Sequence, residues 1–160
     1  MYDITKKKIV LFYQFINNML TEKDYCDYET CVALKELGFS EPTLAYYHGF
    51  LSSKPLLYLV IDEDCMSEDG VNIFDLLSNS NKYKDSKNID APTMWEAQKW
   101  LREEKKLHIT IFSQSQESWQ YRITKPHQRL EDGLYGEDFS SFEEALSEGI
   151  KSAVKILKEK

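Results

Sequence analysis

The stretch "TMWEAQKWLREEKKLHITIFS", Thr93 to Ser113, carries a whole helix and the strand that follows it. Thr93 with Glu96 three residues on is a capping box, in which each side chain satisfies the other's backbone N–H. Met94, Ala97, Trp100 and Leu101 recur at the spacing of three and four that lines one helix face. Glu103 to Lys106 form a charged tail. From Leu107 the period changes to two. Leu107, Ile109 and Ile111 face one way, and His108, Thr110 and Phe112 the other. "SWQYRIT" (118–124) alternates too, with Trp119, Tyr121 and Ile123 on one face. The polar link between these runs predicts a hairpin over about 107–125, stopped by Pro126.

Upstream, "TLAYYHGFLSSKPLLYLVID" predicts a second hairpin over about 43–62. Residues 56–61 are continuously apolar, which predicts a strand covered on both faces. Tyr28 to Leu37 reads as a short helix capped by Asp27 and ended by Gly38 in a left-handed turn, with Phe39 folding back onto it. Residues 6–20 carry a helical stripe of Ile9, Phe12, Phe15, Ile16, Met19 and Leu20, so 1–27 reads as an N-terminal helical extension.

Downstream, Ser141 with Glu144 repeats the capping box. Phe142, Ala145, Leu146, Gly149, Ile150, Ala153, Val154 and Leu157 then form the stripe of a closing helix. Residues 63–92 are a long irregular excursion. Val71, Ile73, Phe74, Leu76 and Leu77 are spaced to pin it by one or two helical turns. Residues 126–139 form another loop. Strand pairs with helices between them favour α+β over a doubly wound sheet. The expectation is a single α+β domain over 1–160, with an antiparallel sheet built from the two hairpins and helices packed against it.

The chain has 160 residues, a formal net charge of -7, and 42% apolar and 13% aromatic residues. That is enough apolar content for one packed core. Affinity for bare nucleic acid rests on neutralising phosphates, so an acidic body argues against a non-specific nucleic-acid binder and for a basic partner. Three cysteines without a CxxC argue for reduced thiols in a cytoplasm. No run reaches the roughly 18 apolar residues of a membrane span, and no membrane association is expected.

Candidate chemistry narrows by counting. From Asp62, an EF-hand loop would need an oxygen ligand at Met66, Gly at Ser67 and Glu at Ile73, and it fails at all three. His48, His108 and His127 lack metal-ligand spacing, and no phosphate cradle or nucleophile elbow is present. The reading is therefore non-enzymatic, with no catalytic residue, no metal and no cofactor. The acidic run Asp62, Glu63, Asp64, Glu68 and Asp69 is the candidate partner-binding surface. A second acidic run follows: Glu131, Asp132, Glu137, Asp138, Glu143, Glu144 and Glu148, with no Lys or Arg among them. Trp119 and Tyr121, near Arg122, Lys125 and Arg129, are candidate RNA contacts, because strand aromatics beside cations stack bases. A small hydrolase using the acidic loop with a divalent ion is a further alternative.

Three stretches carry a resemblance: "ALKELGFSEPTLAYY" (33–47), "PTMWEAQKWLREEKKLHITI" (92–111) and "YGEDFSSFEEALSEGIKSAVKIL" (135–157). A helix ending in LGF, a W-x-x-Q-x-W-L-R core and a closing EEA-x-x-x-x-I helix resemble small α+β proteins encoded by phages and prophages of Bacteroidetes. The resemblance spans roughly residues 28–157 and falls mostly on caps and core positions. Residues 1–27 and 63–90 depart from it. It implies a prophage interaction protein that inhibits a host defence system, an anti-CRISPR acting on an RNA-guided effector or its guide RNA complex in the bacterial cytoplasm. It carries over no catalytic residue.

Overall fold

The computed structural model describes residues 20–48, 55–59, 66–67, 70–71, 88–115 and 117–159. The fold is α+β, with antiparallel sheets and amphipathic helices. The chain divides into two compact units, residues 1–28 with 40–92, and residues 29–39 with 93–160.

The first unit holds β1 (Ala45–His48) and β2 (Leu56–Leu59), paired antiparallel with Ala45 opposite Leu59 and His48 opposite Leu56. The described parts of the long excursion include strands. Its end forms β5 (Asn88–Asp90), which pairs with the other edge of β1. Within the excursion β3 (Met66–Ser67) and β4 (Gly70–Val71) also pair antiparallel, which places Val71 in a strand rather than a helical turn. Ala45 and Tyr47 alternate inward, as a period of two requires. The Tyr47 hydroxyl donates to the Cys26 carbonyl at 3.0 Å, and the Cys26 N–H to the Pro92 carbonyl at 3.0 Å. These bonds tie the segment before the helix to the end of the excursion. β2 corrects one expectation. Leu56 and Tyr58, which share one of its faces, are exposed rather than covered, and among the described residues it is also an edge strand.

The second unit begins with α1 (Tyr28–Glu36), whose first residue belongs to the first unit. Gly38 has φ +93. Its N–H donates to the Lys35 carbonyl and the Phe39 N–H to that of Leu34. This pair of bonds is the Schellman motif, and only a left-handed residue at Gly38 permits it. Phe39 folds back, as expected, and meets Trp100 edge-on at 5.4 Å.

In α2 (Met94–Glu103) the expected stripe is the buried face: Met94, Ala97, Trp100 and Leu101. The Thr93–Glu96 box is formed in both directions. Lys106, at φ 57, turns the chain into β6 (His108–Ser115). β6 pairs with β7 (Ser118–Thr124), and β7 with β8 (Leu134–Tyr135). The last helix, α3 (Phe142–Lys158), buries Ala145, Leu146, Gly149, Ile150, Ala153 and Val154. It lies across β6 and β7, with α2 against α3 and β6.

Among the described residues the strands expected in one sheet lie in two three-stranded sheets, β2–β1–β5 and β6–β7–β8. The β1–β2 and β6–β7 pairs each gain a short third strand from a segment read as loop. The helix expected over 6–20 lies outside the described residues, apart from Leu20.

Candidate interaction surfaces

The alternation of β6 and β7 gives their sheet two chemically different faces. Ile109, Ile111, Tyr121 and Ile123 share the face under the helices, because Ile109 pairs with Ile123 and Ile111 with Tyr121. Gly149 of α3 comes so close there that a Cβ would stand 2.9 Å from Ile109 Cγ2 and 3.2 Å from Tyr121 Cγ. Tyr121 is buried, its ring is stacked on Phe139 at 5.9 Å, and its hydroxyl lies 2.7 Å from that of Ser152. Trp119 is on the same side, edge-on to Phe142 at 5.6 Å.

The residues expected to contact RNA are distributed over this sheet and the loop after it. Tyr121 offers no free ring face, and Trp119 turns toward α3, while Arg122 points to the opposite side of the sheet. Lys125 and Arg129 lie in the loop after β7. Both are exposed, and Arg129 meets Glu131 at 3.7 Å. Gln128 shapes that loop by accepting from the Lys125 N–H at 2.9 Å and donating to the Asp132 carbonyl. The five residues therefore do not form one face.

Arg122 has aromatic neighbours that the sequence reading missed. Its Cζ is 5.7 Å from the Phe112 ring centroid and 5.9 Å from that of Tyr135. The two rings meet edge-on at 6.3 Å. Ring quadrupoles attract a guanidinium at this range. Arg122 Nε is buried and has no acceptor, and no carboxylate among the described residues pairs with the group. Phe112 was on the right face by alternation. Tyr135 carried no signal, because β8 spans two residues inside an apparent loop.

The second acidic run is displayed at the surface. Glu131, Asp132, Glu137, Asp138, Glu143 and Glu144 are exposed, and Glu148 is half-buried. Glu148 pairs with Lys151 at 2.8 Å and Glu131 with Arg129. Asp138 accepts from Ser118 Oγ and Gln120 Nε2, and Glu144 from Ser140 Oγ. Asp132, Glu137, Asp138, Glu143 and Glu144 have no cationic partner among the described residues. Exposed like charges of this kind project a field outward instead of cancelling locally.

A third feature is an aromatic ladder. Trp95 is 64% exposed and stacks on Phe142 at 6.1 Å with 27° between the rings, and Phe142 in turn meets Trp119. Trp95 lies off the apolar stripe of α2, and that is a signal the sequence held.

The first acidic run, Asp62, Glu63, Asp64, Glu68 and Asp69, lies outside the described residues. Cys26 and Cys31 are buried. Among the described residues no three His, Cys, Asp or Glu side chains group as metal ligands, and no helix is long and apolar enough to cross a membrane. Compared with family models, curated proteins and solved structures, the chain matches none.

Proposed function

We propose that the protein acts by binding rather than by catalysis, as a prophage-encoded inhibitor of a host defence system whose target is a protein with a basic surface. An RNA-guided effector, or its complex with guide RNA, is the target the resemblance suggests, since such effectors hold nucleic acid in positively charged channels. The observation that carries the reading is the acidic run from Glu131 to Glu148, exposed almost throughout and largely without cations to neutralise it. Charge of one sign on a chain of net charge -7 steers association with a basic surface and rejects acidic ones.

A second reading rests on Arg122. A cation flanked by Phe112 and Tyr135 on the outer face of a sheet is a composition that stacks single-stranded RNA bases. Capture from host lysate, with and without nuclease, separates the two. A protein retained after nuclease treatment supports the first reading. Loss of all captured material on nuclease treatment sinks it and leaves the second.

A further inference from the structure

We propose that the free face of Trp95 is the anchor point for an arginine side chain on a basic segment of the protein partner. The inference rests on the reading of the acidic surface as partner-facing and names what that surface holds.

Among the described residues Trp95 is the most exposed of the large apolar side chains, at 64%. One ring face is covered by Phe142, so the exposure belongs largely to the other. Phe142 is itself braced by Trp119, so the indole stands on a stack fixed to the sheet. A rigid aromatic presented this way is the kind of residue that dominates interface energetics. It loses little conformational freedom on binding, because packing has already oriented it.

Local charge selects the occupant. Trp95 and Phe142 stand in the first turns of α2 and α3. Each helix N-terminus contributes a partial charge of about +0.5. Glu96, Glu143 and Glu144 occupy those same turns and outweigh the two termini. Lys99, one turn beyond Trp95, is drawn toward Glu103 at 4.0 Å. Even with Lys99 counted, three carboxylates against one ammonium and two helix termini of about +0.5 leave these turns negative by about one charge. A planar cation gains both the ring quadrupole and the carboxylates, and arginine matches a tryptophan face better than lysine does. Among the described residues such contacts already occur: Lys105 Nζ lies 4.8 Å from the Trp100 ring centroid, and Arg122 lies over Phe112 and Tyr135.

The test is a titration of the full chain, labelled at the tryptophan indoles, with a capped octa-arginine peptide at low salt. The Trp95 indole N–H resonance is expected to move more than those of Trp100 and Trp119. Trp95→Ala is expected to weaken the peptide about two- to fivefold, corresponding to a partly exposed cation–π contact. Because the side chain is exposed, an unchanged circular dichroism melt confirms an intact fold. If the peptide binds and charge reversal at Glu137 and Glu143 weakens it, while Trp95→Ala does not and its resonance stays still, the anchor is wrong and the acidic surface stands. If octa-arginine does not bind, both fall. An oligouridylate that moves Trp95 when octa-arginine does not also overturns the anchor.

Discussion

The hydroxyls of Tyr121 and Ser152, 2.7 Å apart, join the central strand of the second sheet to its longest helix. The Tyr121 ring is buried, while the hydroxyl pair itself is part-buried against the half-exposed Ser152. Tyr121→Phe is expected to lower stability by about 1 kcal/mol, the net worth of an ordinary intramolecular hydrogen bond. Ser152→Ala should cost about the same. Urea denaturation of the double variant checks the relationship. Losses that simply add would show that the two groups act separately.

Gly149 is expected to resist substitution despite its place inside a helix. Alanine there gains about 1 kcal/mol of helix propensity. Its Cβ would press to 2.9 Å on Ile109 and to 3.2 Å on Tyr121. Overpacking of this kind costs about 1–3 kcal/mol. Gly149→Ala should therefore be neutral to destabilising by about 2 kcal/mol in the urea midpoint. A clear rise in stability would mean that α3 moves off the sheet freely.

The helices were legible because their signals are local. A capping box at Thr93, a stripe of Met94, Ala97, Trp100 and Leu101, and a glycine after Leu37 each act within a turn or two of chain. The β6–β7 pair was legible for the same reason. β5 and β8 were not, because two- and three-residue strands show no period and are defined by what they pair with. The same limit applies to the site. Alternation put Phe112 on the outer face, but nothing in the chain announced Tyr135 as its partner across Arg122. Trp119 and Tyr121 looked like a stacking surface because alternation fixes which residues share a face, not which face meets the helices.

Gly38 offers a test of backbone conformation alone. Its φ of +93 lies where side chains rarely go, and a Cβ there would meet nothing within 4 Å. Sterics with neighbours therefore cannot confuse the result. Gly38→Ala is expected to destabilise by about 1–2 kcal/mol through left-handed strain. Thermal denaturation would show it as a lowered midpoint, and Gly38→Asn should recover part of the loss, since Asn tolerates that region better. Equal loss in both variants would place the effect outside backbone strain.

The acidic surface makes the prediction on which the proposed function depends, and the choice of residue matters. Asp138 bonds Ser118 and Gln120, and Glu144 bonds Ser140, so reversing either would also disturb structure. Asp132, Glu137 and Glu143 are exposed and bear no such bonds. Their joint change to Lys should lower the melting midpoint only slightly, chiefly through Glu143, whose carboxylate faces the positive N-terminus of α3 at about 0.3–1 kcal/mol. It should weaken octa-arginine, or a captured basic partner, about tenfold at low salt, at roughly 0.2–1 kcal/mol per exposed contact. The deficit should shrink as salt rises, since the Debye length falls to about 8 Å at physiological ionic strength. The parallel change of Asp62, Asp64, Glu68 and Asp69 to Lys asks the same of the first acidic run. Calorimetric titrations at two salt concentrations measure both. Unaltered affinity in both variants would remove charge from the account of how this protein finds its partner.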